Sequence, residues 1–144
     1  MQLSRFTDYS IRVLLYAAMN NQKLTTMTEV SAFYQVSMEH LRKVIHNLAK
    51  QEYIKTYRGK KGGFEIWKNP AEIQLGDLIA QTEGMQPLID CQSQQCCLDP
   101  FCTLKDVLKE AQDAFILSLN RYSLKDLLNN PKMQSQLIQT STEI

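Results

Sequence analysis

A mainly α-helical fold with one small β-hairpin is what this sequence predicts, and three observations predict it. Apolar residues recur at helical spacing over most of the 144 residues. Two short alternating stretches near the middle flank a loop rich in glycine and lysine. A long apolar stripe near the C-terminus exceeds what a small domain needs for its own core. Together these read as a winged helix-turn-helix followed by a long C-terminal dimerisation helix.

The first helix is expected over residues 6–20. Phe6, Tyr9, Val13, Tyr16 and Ala17 share one stripe, and Ile11, Leu14, Leu15 and Ala18 widen it, so most of the circumference is buried. Thr7 or Asp8 is the expected N-cap. A short second helix spans 26–36, where Thr26 and Glu29 have capping-box spacing ahead of Val30, Phe33 and Tyr34. Ser37 then caps a third helix over 38–51. Leu41, Val44, Ile45 and Leu48 turn inward, while Met38, Glu39, Arg42, Lys43, His46 and Lys50 turn out. Two short helices across a tight turn, the second with a basic outer face, make 38–51 the expected recognition helix of a DNA-reading head.

Residues 53–57 and 64–67 alternate and are rich in strand formers. Between them, Arg58-Gly-Lys-Lys-Gly-Gly63 is basic and glycine-rich, the composition of a wing whose backbone can approach a phosphate chain closely. A nucleotide-binding loop is disfavoured, because the spacing lacks the required pattern and no helix follows. Pro70 breaks the second strand, and a short helix over 73–84 stops at Gly84. A loop over 85–101 follows. The strong stripe Leu104, Val107, Leu108, Ala111, Phe115, Leu119 and Tyr122 then predicts a helix over 103–122, about 30 Å long. A stripe of that length calls for a second copy, and a two-fold dimer matches a palindromic operator in double-stranded DNA. Ser123 with Asp126 starts a short helix over 124–129 that Pro131 ends. The expected organisation is thus a DNA-binding head at 1–84, a loop at 85–102, a dimerisation segment at 103–130 and a loose tail at 131–144.

Composition sharpens this. No run of eighteen apolar residues is present and no basic-then-apolar leader opens the chain, so neither a membrane span nor a signal peptide is expected, and the cytoplasm is the expected compartment. The net charge of +1 hides an asymmetry. Residues 1–68 carry eleven Lys and Arg against five Asp and Glu, whereas 69–144 carry five against ten. A basic head suits a polyanion. No nucleophile–base pair or substrate pocket is legible, so an enzyme is not expected.

All four cysteines lie in one twelve-residue stretch, Cys91, Cys96, Cys97 and Cys102. In a reducing compartment such clustering points to metal or redox chemistry rather than to disulfides. The spacing lacks the paired knuckles that zinc favours, and adjacent Cys96 and Cys97 point apart in extended chain. An iron–sulfur cluster accepts three cysteines from an irregular loop plus a ligand from elsewhere. Reactive thiols near a helix start are a further reading. Residue chemistry leaves these open, with the cluster favoured.

Met1-Gln-Leu-Ser-Arg-Phe-Thr-Asp-Tyr-Ser-Ile-Arg12, Arg58-Gly-Lys-Lys-Gly-Gly63, Leu88-Ile-Asp-Cys91 and Cys102-Thr-Leu-Lys105 resemble, in order, the NsrR repressors. These are nitric-oxide-sensing members of the Rrf-two superfamily of winged-helix regulators. The resemblance covers roughly residues 1–128. It implies one 4Fe–4S or 2Fe–2S cluster per subunit of a homodimer, held by Cys91, Cys96, Cys102 and Asp8 of the partner subunit. Cys97 lies outside the family spacing. The histidine that the related regulator IscR carries shortly after its last cysteine is replaced here by Thr103, Leu104 and Lys105. The resemblance further implies that nitric oxide nitrosylates or removes the cluster and so releases the operator. The alternatives are a same-fold sensor of cluster status or redox and a zinc-stabilised winged helix that senses nothing. Expected DNA contacts are Ser37, Met38, Glu39, His40 and Lys43 at the start of the recognition helix, with Arg58, Lys60, Lys61 and Gly62 in the wing. Glu39 can accept from a cytosine amino group and Lys43 suits phosphate, while His40 reads equally as a solvated surface residue.

Overall fold

Ser4, rather than Thr7 or Asp8, starts the first helix. In the computed structural model, which describes residues 1–138, helix α1 spans Arg5–Met19. The Ser4 side chain accepts the Thr7 backbone N–H at 3.2 Å. The expected cap fails because Thr7 and Asp8 already lie inside the first turn. There Thr7 is fully buried, and the Asp8 carboxylate sits near the positive end of the helix dipole.

Helix α2, Met27–Tyr34, opens with the expected capping box between Thr26 and Glu29. It ends at Gln35, whose φ of 56° turns the chain sharply. Helix α3, Met38–Lys50, starts two residues after Val36 because the Ser37 side chain accepts the His40 N–H at 3.2 Å, a cap that contributes about 1 kcal/mol. Strands β1, Ile54–Tyr57, and β2, Gly63–Ile66, pair antiparallel with Ile54 opposite Ile66 and Tyr57 opposite Gly63. Thr25 joins the far side of β2 through paired 2.8 Å bonds with Phe64. Period-two alternation therefore sends Ile54 and Phe64 to the core and leaves Lys55 and Tyr57 in solvent.

The core gathers around α1. Val13, Leu14 and Tyr16 pack in one buried cluster with Val30, Leu41, Val44, Leu48 and Phe64. A 3-10 turn at Pro70–Glu72 leads to α4, Leu75–Glu83, which ends at Gly84 with φ +73°. The chain returns as α5, Thr103–Leu119, about 25 Å long, shorter than the expected 30 Å. Gly76 lets α4 and α5 approach closely. A Cβ there would lie 2.5 Å from the Ile116 carbonyl oxygen and 2.4 Å from the Asn120 side chain. Helix α6, Leu124–Leu128, has the expected Ser123–Asp126 capping box.

The tail expected to be loose over 131–144 begins instead as helix α7, Pro131–Leu137. Pro131 occupies a first-turn position, where a missing N–H costs nothing, and Asn130 caps the helix through the Met133 N–H. Pro131 thus follows the end of α6, as expected, and also starts α7. Leu137 is buried in the main core, and its carbonyl accepts from the Asn20 side chain at 2.9 Å. Residues 139–144 lie outside the described residues. Among the described residues no helix is long and apolar enough to cross a membrane.

Candidate cluster loop and nucleic-acid interface

Residues 85–102 hold no helix or strand, and local turns fold them. The Cys96 N–H reaches the Cys91 carbonyl at 3.3 Å, and the Asp99 N–H reaches the Cys96 carbonyl at 3.2 Å. Ser93 closes on the Asp90 carboxylate through both its N–H and its hydroxyl. Lys105 of α5 clamps the loop from outside, with its ammonium 2.6 Å from the Asp99 carboxylate.

All four cysteines are free thiols. Cys91 and Cys102 are half-buried, while Cys96 and Cys97 are exposed. Cys102 is the N-cap residue of α5 and makes no side-chain cap bond, so its sulfur is left for other work. Burial pushes the Cys91 thiol above its ordinary range. The charges of Asp99, Cys96 and Cys102 add to this, and Lys105 opposes it. Cys96 and Cys102 thus lie within electrostatic reach of Cys91. At Cys91 the raised value is the opposite of what an activated redox thiol needs. Among the described residues no three His, Cys, Asp or Glu side chains converge tightly enough for a single metal ion. Three free thiols on one loop are of the donor type that an iron–sulfur group takes.

Asp8 lies on α1, not in the loop. Its carboxylate is about half exposed and accepts from the Arg12 side chain at 2.9 Å. Arg12 also lies over the rings of Tyr34 and Tyr9, at 5.5 and 6.0 Å. The hydrogen bond to Asp8 is the main reason the guanidinium holds its proton more tightly than usual. Asp8 is therefore accessible from outside the chain, but it has a partner within it.

The expected nucleic-acid residues form two groups. Ser37 caps α3, and Met38, Glu39, His40 and Lys43 follow on its first turns, all exposed except the half-buried Met38. Arg58, Lys60 and Lys61 are exposed at the hairpin tip. Gly62 is needed there for space. Its N–H donates to Gly59 at 2.9 Å, and a Cβ would fall 2.5 Å from the Tyr57 carbonyl oxygen. Sequence reasoning missed Tyr9, whose ring packs beside His40, and Lys55, whose ammonium lies 4.5 Å from the centre of the exposed Trp67 ring. The Lys55–Trp67 contact follows from strand register, with Lys55 opposite Glu65 and Trp67 next on the same face. The Tyr9 contact depends on how α1 packs on α3, and no local signal carries it.

Helix α5 has no fully buried residue. Leu104, Val107 and Phe115 of its stripe are exposed to 57%, 53% and 36%, so packing on α4 leaves an apolar face open. That separates α5 from an ordinary core helix.

Comparison with known proteins places this arrangement. A family model described as Rrf2, iron-dependent transcriptional regulator, matches residues 3–130. The HTH-type transcriptional regulator NsrR of Shouchella clausii is 40% identical, with 99% of this chain and 98% of that protein covered. The HTH-type transcriptional regulator NsrR of Halalkalibacterium halodurans is 42% identical over 90% of this chain and 92% of its own length. Among solved structures, T. potens IscR superposes with a TM-score of 0.72 at 20% identity, over all of this chain and 97% of that one. Staphylococcus aureus CymR in its oxidized form gives 0.69 at 20% identity, covering 97% and 100%. At that identity the two structures speak for the fold alone, while the family match and the NsrR relatives speak for descent. The chain belongs to the Rrf2 family of transcriptional regulators.

Proposed function

We propose that the protein is a homodimeric DNA-binding repressor that senses nitric oxide through one iron–sulfur cluster per subunit. The observation that carries the reading is the position of the free thiols. They occupy the single irregular loop between α4, which packs on the DNA-reading head, and α5, which bears the open apolar face. The relatives named NsrR support the same reading.

Cys91, Cys96 and Cys102 would hold the group from the loop, and Asp8 of the partner subunit would complete the set. When bound, the cluster supplies iron that nitric oxide can attack. Ligation asks each thiol to give up its proton, and the raised affinity of Cys91 for that proton makes its thiolate depend on the metal. Asp8 must exchange its bond to Arg12 for the metal, which changes the first turn of α1. Ser37, Met38, Glu39 and His40 then lie in the major groove, and Lys43 meets phosphate. Arg58, Lys60 and Lys61 neutralise phosphates, and Gly62 brings the wing backbone close. The open α5 faces pair two heads at the spacing of two half-sites.

The test is purification without oxygen, a visible spectrum, a nitric oxide titration and operator binding followed in parallel. A coloured protein that loses both its spectrum and its operator affinity as nitric oxide is added is the expected result. A colourless protein with one zinc per subunit would sink the proposal. A coloured protein whose affinity ignores nitric oxide would make it a sensor of cluster status instead.

A further inference from the structure

The last turn of α4 faces two helices at once. Thr7 of α1 donates its hydroxyl to Thr82 at 2.8 Å, and the Ser4 N–H donates to Glu83 at 2.7 Å. One residue earlier, Gln81 reaches in a different direction, to α3. The Asn47 side-chain amide donates to the Gln81 oxygen at 3.2 Å, and the Gln81 amide donates back to the Asn47 oxygen at 3.1 Å. Both residues are half-buried, which weakens competition from water. Gly84 then ends α4, and the cysteine loop begins.

A reciprocal pair of amides differs from a single hydrogen bond. One bond fixes a distance and allows swivelling, whereas two opposed bonds in a closed ring fix orientation as well. Four residues before the loop, the end of α4 is therefore tied to α3 by a paired contact rather than a single bond. If the last turn of α4 moves, α3 must follow or leave four polar groups half-satisfied in a partly dry place. Asn47 stands on the same helix, about two turns beyond Glu39 and His40 and about one turn beyond Lys43.

We propose that the Asn47–Gln81 amide pair is the strut through which the state of the cysteine loop sets the placement of α3, with Gln81 a positioning residue for DNA recognition. The proposal rests on the functional reading above and names a route within one subunit for its regulation. Gln81 touches neither thiol nor DNA; it acts through α3.

The readout is the ratio of operator affinities between cluster-loaded and cluster-free dimers, measured without oxygen for wild type, Q81L and the swapped double variant N47Q/Q81N. The swap moves one methylene across the pair and keeps both bonds possible. In Q81L the ratio should fall by roughly fivefold or more, the size of an ordinary coupling between sites, while the visible spectrum stays unchanged. The swapped variant should recover most of the wild-type ratio. A Q81L that weakens both states equally shows a structural role and overturns the strut, as does a Q81L with the wild-type ratio. If Q81L does not fold, Q81E, which keeps one acceptor for Asn47, takes its place and must give a reduced ratio. A wild-type dimer whose affinity ignores the cluster overturns the functional reading and the strut with it. A responsive wild type beside an equally responsive variant overturns the strut alone.

Discussion

The ring of Tyr9 sits 6.0 Å from the imidazole of His40, tilted by 40°. The residue after Asp8 thus touches the first turn of α3. Tyr9 supports one side of His40 and leaves the rest exposed, so the imidazole is held rather than merely solvated. His40→Ala should lower discrimination between operator and scrambled DNA by about 1–3 kcal/mol, the range of one base contact, with little change in melting temperature. Titration of both DNAs at fixed salt checks this; equal loss on both would make His40 a phosphate contact or a support.

The wing lysines should behave differently. Lys60→Ala and Lys61→Ala should each weaken binding to all sequences alike and reduce the slope of log affinity against log salt by about 1. Gly62→Ala should leave that slope unchanged yet lower affinity. The added carbon would lie 2.5 Å from the Tyr57 carbonyl, so the tip must rearrange at a cost of roughly 1–3 kcal/mol.

Among the cysteines, Cys97→Ala should keep iron and sulfide at wild-type stoichiometry, while alanine at Cys91, Cys96 or Cys102 should abolish both. Asp8→Ala should give a cluster that forms but decays faster in air, with the melting temperature of the cluster-free protein within a few degrees of wild type. Iron and sulfide assays with decay of the visible band separate these outcomes. An equally stable cluster in the Asp8 variant removes Asp8 from the ligand set.

Tyr16 predicts an alkaline limit. Its ring is buried, its hydroxyl lies 3.2 Å from Glu29, and burial first, then the Glu29 charge, pushes its pKa from 10.0 to about 12. The folded state therefore keeps a proton that the unfolded state gives up. The contribution is intact below pH 10 and is lost as pH rises through about 12. Tyr16→Phe should be less stable at neutral pH by about 1 kcal/mol and should lose less stability between those limits. Urea unfolding at a series of pH values measures it.

Leu137→Ala tests the last helix. Leu137 is 5% exposed, so truncation should cost about 2–5 kcal/mol and lower the denaturant midpoint. A loose tail would tolerate the change without effect.

Much of this was legible in the chain because the signals were local. The Thr26–Glu29 and Ser123–Asp126 boxes, the Ser37 cap, the Gly84 stop and the alternation across β1 and β2 are fixed by neighbours within a few residues. Ser4 was missed because Thr7 and Asp8 are equally good caps in isolation, and tertiary packing of Thr7 decides between them. Helix α7 was missed because a proline that closes one helix can also open the next. In the site, the grouping of the thiols could be read directly, since one loop holds them all. The Asp8–Arg12 bond is an i to i+4 pair and was within reach of sequence reasoning. Tyr9 beside His40 and Asn47 opposite Gln81 were not, because each depends on how separate helices cross.

Helix α1 is covered by Leu137 of α7, and Asn20 at its end bonds the Leu137 carbonyl across 117 positions of chain. The core around α1 is thus closed by a helix distant in sequence. Contacts of such sequence separation form late, because the intervening chain must first be ordered. A chain without α7 would leave part of the packed face of α1 uncovered. Loosening of α7 should therefore loosen α1 with it, although the two helices lie far apart in sequence.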